Sequence, residues 1–157
     1  MALDPTAREA NVRDSLKKFF VDSLETTESH EVTFDVSLAT PNIQGEDVDK
    51  WYAIGFGLLG METLSSYTVS IYCCTRKDPE GFKLAQLRDT AYSYLIDTDQ
   101  TDGMKRIAFY RSRASGSWTL LDGGIVVQEI IESGQMEAPD ETKYKILTVL
   151  VRFASKV

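Results

Sequence analysis

Residues Ser66–Cys74 read Ser-Tyr-Thr-Val-Ser-Ile-Tyr-Cys-Cys, and the fold class follows from this stretch. Such alternation of apolar and polar side chains is typical of a half-buried β-strand. One face would carry the apolar side chains Tyr67, Val69, Ile71 and Cys73. Asp78-Pro79-Glu80 follows and predicts an N-cap acceptor, a proline in the first turn and an early carboxylate. We therefore predict a strand over 64–74 and a helix over 78–97 that packs on a sheet through Leu84, Leu87, Ala91, Tyr94 and Leu95.

The chain before this unit predicts a second helix and two more strands. Asp4-Pro5 is typical of a helix start, and an apolar stripe extends the helix to about Leu24 through Val12, Leu16, Phe19 and Phe20. A polar break over Glu25–Ser29 precedes the strand Val32–Leu38, in which apolar and polar side chains alternate. Trp51–Leu59 is apolar and interrupted by glycines, which predicts a strand with a bend or bulge.

The chain after the second helix predicts three strands: Arg106–Tyr110, Trp118–Ile131 with a kink at Gly123-Gly124, and Tyr144–Ala154. The last is apolar on both faces, which indicates a central strand or one that contacts a neighbouring subunit. We expect one α+β domain over residues 1–157, a mainly antiparallel sheet with two amphipathic helices packed on one face. Aromatic side chains suggest that a partner chain covers part of the other face: Tyr72, Tyr110 and Trp118.

The composition excludes several classes of protein. Apolar residues make up 43% of the 157 residues and charged residues 26%, which is ordinary for a globular domain. The net charge of −7 argues against an electrostatic grip on nucleic-acid phosphates. No signal peptide and no run long enough to span a bilayer is visible, so we expect a soluble protein that folds in a cytoplasm and has no membrane partner.

The two cysteines, Cys73 and Cys74, are adjacent on the predicted strand and should point to opposite faces. A disulfide between them would be strained, so we predict two free thiols. Cys73 should be buried and Cys74 less so. Two adjacent cysteines are also too few for a zinc site.

The run Gly55–Gly60 matches the dinucleotide fingerprint G-x-G-x-x-G after a predicted strand. The fingerprint needs a helix next, because the pyrophosphate binds the amides at the helix N-terminus. Residues 61–74 alternate like a strand instead. We therefore expect glycines that permit a twisted or bulged strand, and no cofactor.

Two further patterns carry little chemistry. Asp97, Asp99 and Asp102 resemble a calcium loop, but the position that should hold the bidentate glutamate is Ala108. We expect a solvated loop and no metal. His30 is the only histidine, and no glycine-flanked nucleophile accompanies it, so we expect no catalytic residue and no enzyme activity.

Arg111 and Arg113 flank a loop that ends at Trp118. Arginine and tryptophan are enriched at protein interfaces, so these three residues are candidates for a subunit interface. The alternative is a hairpin tip with ordinary surface charges.

The layout as a whole resembles the tail-terminator, or tail-completion, proteins of long-tailed bacteriophages. The resemblance rests on five segments: the helix Arg8–Leu24, the strand Tyr67–Cys74 ending in Thr75-Arg76-Lys77-Asp78, the helix Phe82–Ile96, the strand Gly124–Ile131 and the strand Lys145–Phe153. It implies a sheet with helices on one side, in agreement with the fold predicted from the residues.

The resemblance also implies a function. Such proteins form a homo-oligomeric ring, most often a hexamer, that caps the tail tube protein and then joins the head-side connector protein. The location would be the virion, after assembly in the host cytoplasm. DNA would pass through the lumen without specific binding, which suits an acidic chain. The alternatives are another head-tail joining or tube protein, or a small α+β domain that binds a ligand between sheet and helices.

Overall fold

The computed structural model describes residues 9–34, 49–60, 65–111, 119–120, 123–137 and 142–155. Two α-helices and nine strands occur within these ranges, and the first helix continues into a π-helical segment. In chain order the elements are α1 Glu9–Phe20, the π-helical segment Val21–Thr27, β1 Glu31–Phe34, β2 Lys50–Gly60, β3 Ser65–Thr75, α2 Phe82–Leu95, β4 Arg106–Ile107, β5 Tyr110–Arg111, β6 Thr119–Leu120, β7 Gly123–Glu132, β8 Met136–Glu137 and β9 Lys143–Ser155.

Seven of the described strands form one sheet in the order β1-β2-β3-β9-β7-β4, and β8 pairs with β9 beyond the end of β7. Only the β1–β2 pair in this sheet is parallel. β5 and β6 form a separate hairpin. The α+β prediction is confirmed, and so is the central position of the last strand, because β9 lies between β3 and β7.

Both helices pack on the same face of the sheet, as the sequence predicts. The alternating apolar side chains of β3 are all buried, as are the facing residues of β9: Leu147, Val149 and Val151. α1 and α2 cover them with one continuous core, which includes Val12, Leu16, Phe20, Leu84, Leu87, Ala91 and Leu95. The apolar faces that the strand and helix periods predict therefore form one core between the sheet and the helices.

The first helix runs further than the sequence predicts. Helical structure continues through the expected polar break as far as Thr27, in π-helical form. The Thr27 hydroxyl donates to the Asp22 carbonyl five residues back at 2.8 Å, so a polar side chain supports this wide turn instead of ending it. The helix ends where Ser29 adopts a positive φ of 60°. The predicted start at Asp4-Pro5 lies outside the described residues.

The second helix begins at Phe82 rather than Asp78. Asp78 still caps it from a distance, because its carboxylate accepts hydrogen bonds from the Lys83 and Leu84 amides at 3.2 and 2.9 Å. The two intervening residues form a turn, and Gly81 then takes the left-handed conformation that a side chain would resist (φ 75°). The predicted acceptor Asp78 does bond the first amides, but the N-cap is Gly81, Pro79 and Glu80 lie before the helix, and the predicted start is four residues too early.

The strand predictions differ from the structure in detail. β2 contains the predicted irregularity, a register shift between Phe56 and Leu59. The strand predicted over 106–110 is two short strands in different sheets, because the chain leaves β7 at Ile107 to reach the β5–β6 hairpin. The loop predicted over 132–142 contains β8. Strand β1 is described only to Phe34, so the rest of the predicted strand 32–38 lies outside the described residues.

Candidate interaction surface

The face of the sheet opposite the helices is the first candidate site, and we call it the open face. Register places on it the residues of β3, β7 and β9 that alternate with the core residues. Neither described helix packs against this face. Its apolar side chains are half-buried or exposed: Tyr72, Val126, Ile131, Tyr144, Ile146 and Leu150. The apolar part of the open face therefore lies on β7, β9 and Tyr72, and the rest of its β3 edge is polar, with Ser66, Thr68 and Ser70.

Aromatic and aliphatic groups cluster on the open face. The rings of Tyr72 and Tyr144 lie 6.4 Å apart on adjacent strands. Ile131, near the end of β7, is 58% exposed. Aromatic and aliphatic clusters of this kind are typical of protein–protein contacts.

Few charges interrupt the open face. The Arg152 guanidinium donates to the Gln128 amide oxygen, next to the bulge between Val127 and Glu129. Glu129 is exposed and lies opposite Leu150. Arg152 and Glu129 leave the described β3, β7 and β9 residues of this face close to neutral, and the neighbouring Arg106 on β4 is paired with Asp102 at 3.1 Å, whereas the whole chain carries −7.

The side chains at one end of the open face are buried. Trp51 is only 2% exposed, and the Arg76 guanidinium lies 4.8 Å from the centre of its ring. Cys74 pairs with Trp51 across the β2–β3 ladder and is fully buried. The prediction that Cys74 would be less buried than Cys73 is therefore wrong, because Cys74 lies between Trp51 and Tyr144 at a buried end of the second face. Burial raises the pKa of the Cys73 thiol to about 12.

The predicted interface residues are only partly placed. The Arg111 backbone pairs with Thr119 in the β5–β6 hairpin, while Arg113 and Trp118 lie outside the described residues. Tyr110 was expected on the same face as Tyr72, and this is wrong. Its amide donates to the Ser15 hydroxyl at 2.7 Å, and its ring lies 5.4 Å from the Lys18 ammonium, so Tyr110 packs against α1 on the helix side.

A cleft of about 320 Å³ lies on the helix side, between α1, the π-helical segment and β4. Its apolar walls include Phe19 and Ile107. The Lys18 ammonium and the Asp22 carboxylate form an ion pair of 2.5 Å at its edge, and this hydrogen bond raises the pKa of Lys18. Lys105 lines the cleft as well. No sequence pattern indicates this cleft, because the π-helical turn and the short strand β4 that form it leave no periodic signal.

An ion-pair cluster joins α2 to the sheet. The Arg88 guanidinium donates to both oxygens of Glu132, each at 2.6 Å, and Lys145 lies 3.3 Å from the same carboxylate. These partners lower the pKa of Glu132 to about 2, Arg88 more than Lys145. The sequence does not indicate this cluster, because Arg88 lies 44 residues from Glu132 and Lys145 lies 13 residues from it. Its role is structural.

The other sequence patterns occupy ordinary structural positions. Within the fingerprint, Gly55 pairs with Ser70 and Gly60 with Ser66, so its first and last glycines belong to a β-ladder. In the aspartate loop, Asp97 accepts from the Asp99 amide and Asp102 from the Met104 amide, both at 3.0 Å, which are turn contacts. No group of three metal-ligating side chains occurs within the described ranges.

His30 lies at the end of the π-helical segment, where its ring meets the Tyr52 ring edge to face at 5.7 Å. Burial and the neighbouring Lys50 ammonium lower its pKa, which favours the neutral ring. His30 is thus placed as a packing residue.

Comparison with known proteins supports the fold and goes no further. No protein-family model matches the chain, and no curated protein matches its sequence. Several solved structures have a similar fold, and one of them has a TM-score of 0.59 over 94% of this chain and 96% of the other, at 9% sequence identity. At that identity the similarity shows a shared architecture alone. Across the parts of the chain that are described, neither helix is long and apolar enough to cross a membrane.

Proposed function

We propose that this chain is a structural subunit of a phage virion, a tail terminator that forms a ring on the end of the tail tube. The open face is the observation that carries this proposal. A subunit that works by assembly needs apolar surface outside its own core, and the open face offers such surface on three strands. The α+β architecture agrees with the layout of the family that the sequence resembles.

The partners follow from the same proposal. Copies of the chain would form the ring, most often a hexamer, the tube protein would bind one side and the head-side connector the other. An acidic ring would let DNA pass through its lumen, because like charges oppose adhesion. The ring would reside in the neck of the virion. A lumen rich in lysine and arginine would contradict the part of the proposal that concerns DNA.

The sharpest biological test uses particles that lack this protein. Negative-stain images should show overlong tails or tails without heads, since nothing would end tube growth. Tails of normal length joined to heads would refute the terminator role. If the particles assemble but show a defect elsewhere in the neck or tube, the chain would instead be another head-tail joining or tube protein.

A matched pair of variants tests the open face itself. Leu150→Glu places a carboxylate in the middle of the apolar cluster, whereas Gln86→Glu adds the same charge on the exposed side of α2. Light scattering coupled to size-exclusion chromatography should show that only Leu150→Glu prevents ring formation, with circular dichroism confirming that both variants fold. Rings of equal stability in both variants would exclude the open face as an assembly surface.

The cleft on the helix side favours a second candidate, a small ligand-binding domain. A volume of about 320 Å³ is at the lower end of what small-molecule sites use. This candidate predicts a monomer at all concentrations whose melting temperature rises when a small ligand binds. Light scattering separates the two candidates directly.

A further inference from the structure

The cleft between α1, the π-helical segment and β4 is lined by two lysines, Lys18 and Lys105, and by Asp22, and its Tyr94 hydroxyl donates to the Glu28 carboxylate. Its Lys18 and Asp22 side chains neutralise each other through their ion pair. Lys105 is half-buried in the wall of the cleft, and no carboxylate of the described residues forms an ion pair with it. In a chain with a net charge of −7, this cleft is therefore a place that attracts a carboxylate.

The size and polarity of the cleft define what it accepts. About 320 Å³ between Phe19 and Ile107 has room for one acidic side chain and an apolar neighbour. A single cation gives little affinity for a nucleic acid, which needs several phosphate contacts. An acidic side chain from a protein surface fits these features better.

The open face presents such a side chain on the other side of the sheet. Glu129 is the exposed carboxylate among the described side chains of the open face. The apolar residues nearest to it are Leu150, directly opposite on β9, and Ile131, two residues along β7. Lys105 precedes Arg106, which pairs with Val126 on the open face, so Lys105 points to the helix side. The two complementary charges thus lie on opposite sides of one molecule.

Opposite sides of one subunit are what a ring requires. A ring uses a head-to-tail interface, in which one patch of each copy contacts a different patch of the next. Copies of an acidic molecule also repel each other least where they meet through a nearly neutral patch. The open face is nearly neutral among its described residues, and the cleft contains Lys105, which pairs with no carboxylate of the described residues.

We propose that Glu129 of one copy enters the cleft of the next copy and pairs with Lys105, so that the open face and the cleft form the subunit contact. This inference rests on the proposed function, because it specifies the contact by which the ring would close.

A charge exchange tests the pairing. Lys105→Glu and Glu129→Lys should each raise the concentration at which half of the protein is assembled by about tenfold or more, since each places like charges in contact. The double variant should return to within about threefold of the wild type, because the pair is restored with its polarity reversed. Asp99→Lys, an exposed charge reversal in the 97–103 loop, should leave assembly unchanged and serves as the control.

A zero-length carbodiimide cross-link provides a second measurement that does not depend on variants. In an assembled mixture of isotope-labelled and unlabelled wild-type chains, mass spectrometry should find Lys105 joined to Glu129 across labelled and unlabelled copies. The pairing would be overturned if rings form but the double variant does not restore assembly and Lys105 is cross-linked to another carboxylate or to none. That outcome would leave the ring proposal standing. A wild-type chain that never assembles would instead refute the proposed function.

Discussion

Replacing Glu132 with glutamine removes the carboxylate that joins α2 to β7 and β9. The structure gives this group a bidentate contact with Arg88, two hydrogen bonds of 2.6 Å, and a third contact with Lys145 at 3.3 Å. Glutamine has nearly the same shape, keeps one acceptor and carries no charge. The substitution therefore isolates the electrostatic part of the contact between helix and sheet.

The magnitude follows from the pKa of Glu132. A fall from 4.5 to about 2 corresponds to roughly 3 kcal/mol if nothing weakens it. The Glu132 and Arg88 side chains are 27% and 24% exposed, so solvent screens part of the attraction. We expect Glu132→Gln to lower the free energy of unfolding by about 1–2 kcal/mol at pH 7.

The effect should depend on pH in a defined direction. The pKa of Glu132 is lower in the folded protein than in the unfolded chain, so the unfolded chain takes up the proton first as the pH falls. The stabilisation by the ionised Glu132 is complete above about pH 4.5 and is lost progressively as the pH falls to about 2. The difference between wild type and variant should therefore shrink across this window.

Urea unfolding followed by circular dichroism, repeated from pH 7 to pH 2, measures this difference. Glu137→Gln is the matched control, because Glu137 pairs with Lys143 at 3.3 Å but is 56% exposed, and its loss should cost less than about 0.5 kcal/mol. Equal effects of the two substitutions at pH 7, or a Glu132→Gln effect that stays constant down to pH 2, would refute the reasoning.

Three further predictions concern the core and the helix cap. Tyr52→Phe should lower the free energy of unfolding by about 1–2 kcal/mol, because the buried hydroxyl donates to the Leu87 carbonyl at 2.6 Å. Tyr94→Phe removes an exposed hydroxyl that bonds to Glu28, so it should lower the free energy of unfolding clearly less in the same urea titration. The reverse order of the two effects would contradict this account. Asp78→Ala should cost about 1–2 kcal/mol in thermal unfolding, because the Lys83 and Leu84 amides lose their acceptor, and Asp78→Ser should recover part of the loss. Cys73 and Cys74 should both resist a thiol reagent at pH 8 in the folded protein and react together on unfolding, since both are fully buried. Rapid labelling of Cys74 in native protein would contradict its burial.

Local sequence was a good guide wherever one face of an element is buried. The alternation in β3 and the stripe of α2 each predicted the residues that the core contains, because burial on one side imposes its period on the chain. Tyr94 is the exception in that stripe, since it is half-buried and its hydroxyl bonds to Glu28. Asp78 was recognised as a cap because capping uses a short-range hydrogen bond that sequence spacing can encode.

Local sequence was a poor guide where distant segments compete. Nothing in residues 25–29 indicates a helix, yet Thr27 supports a π-helical turn there through its bond to Asp22. Tyr110 looks like an exposed strand residue, and its contact with Ser15 lies 95 residues away. Bulges between Phe56 and Leu59 and between Val127 and Glu129 set which residues reach the open face, and only the first has a glycine signal.

The sequence by itself determined the α+β class, the two helical stripes, the central last strand and the acidic character of the surface, because each depends on local periodicity or on summed charge. Tertiary structure alone decided that Cys74 is buried beside Trp51, that Arg88 meets Glu132, and that Lys105 and Glu129 lie on opposite sides of the sheet. These depend on strand order and register, which arise from contacts between residues far apart in the chain and leave no mark in its local pattern.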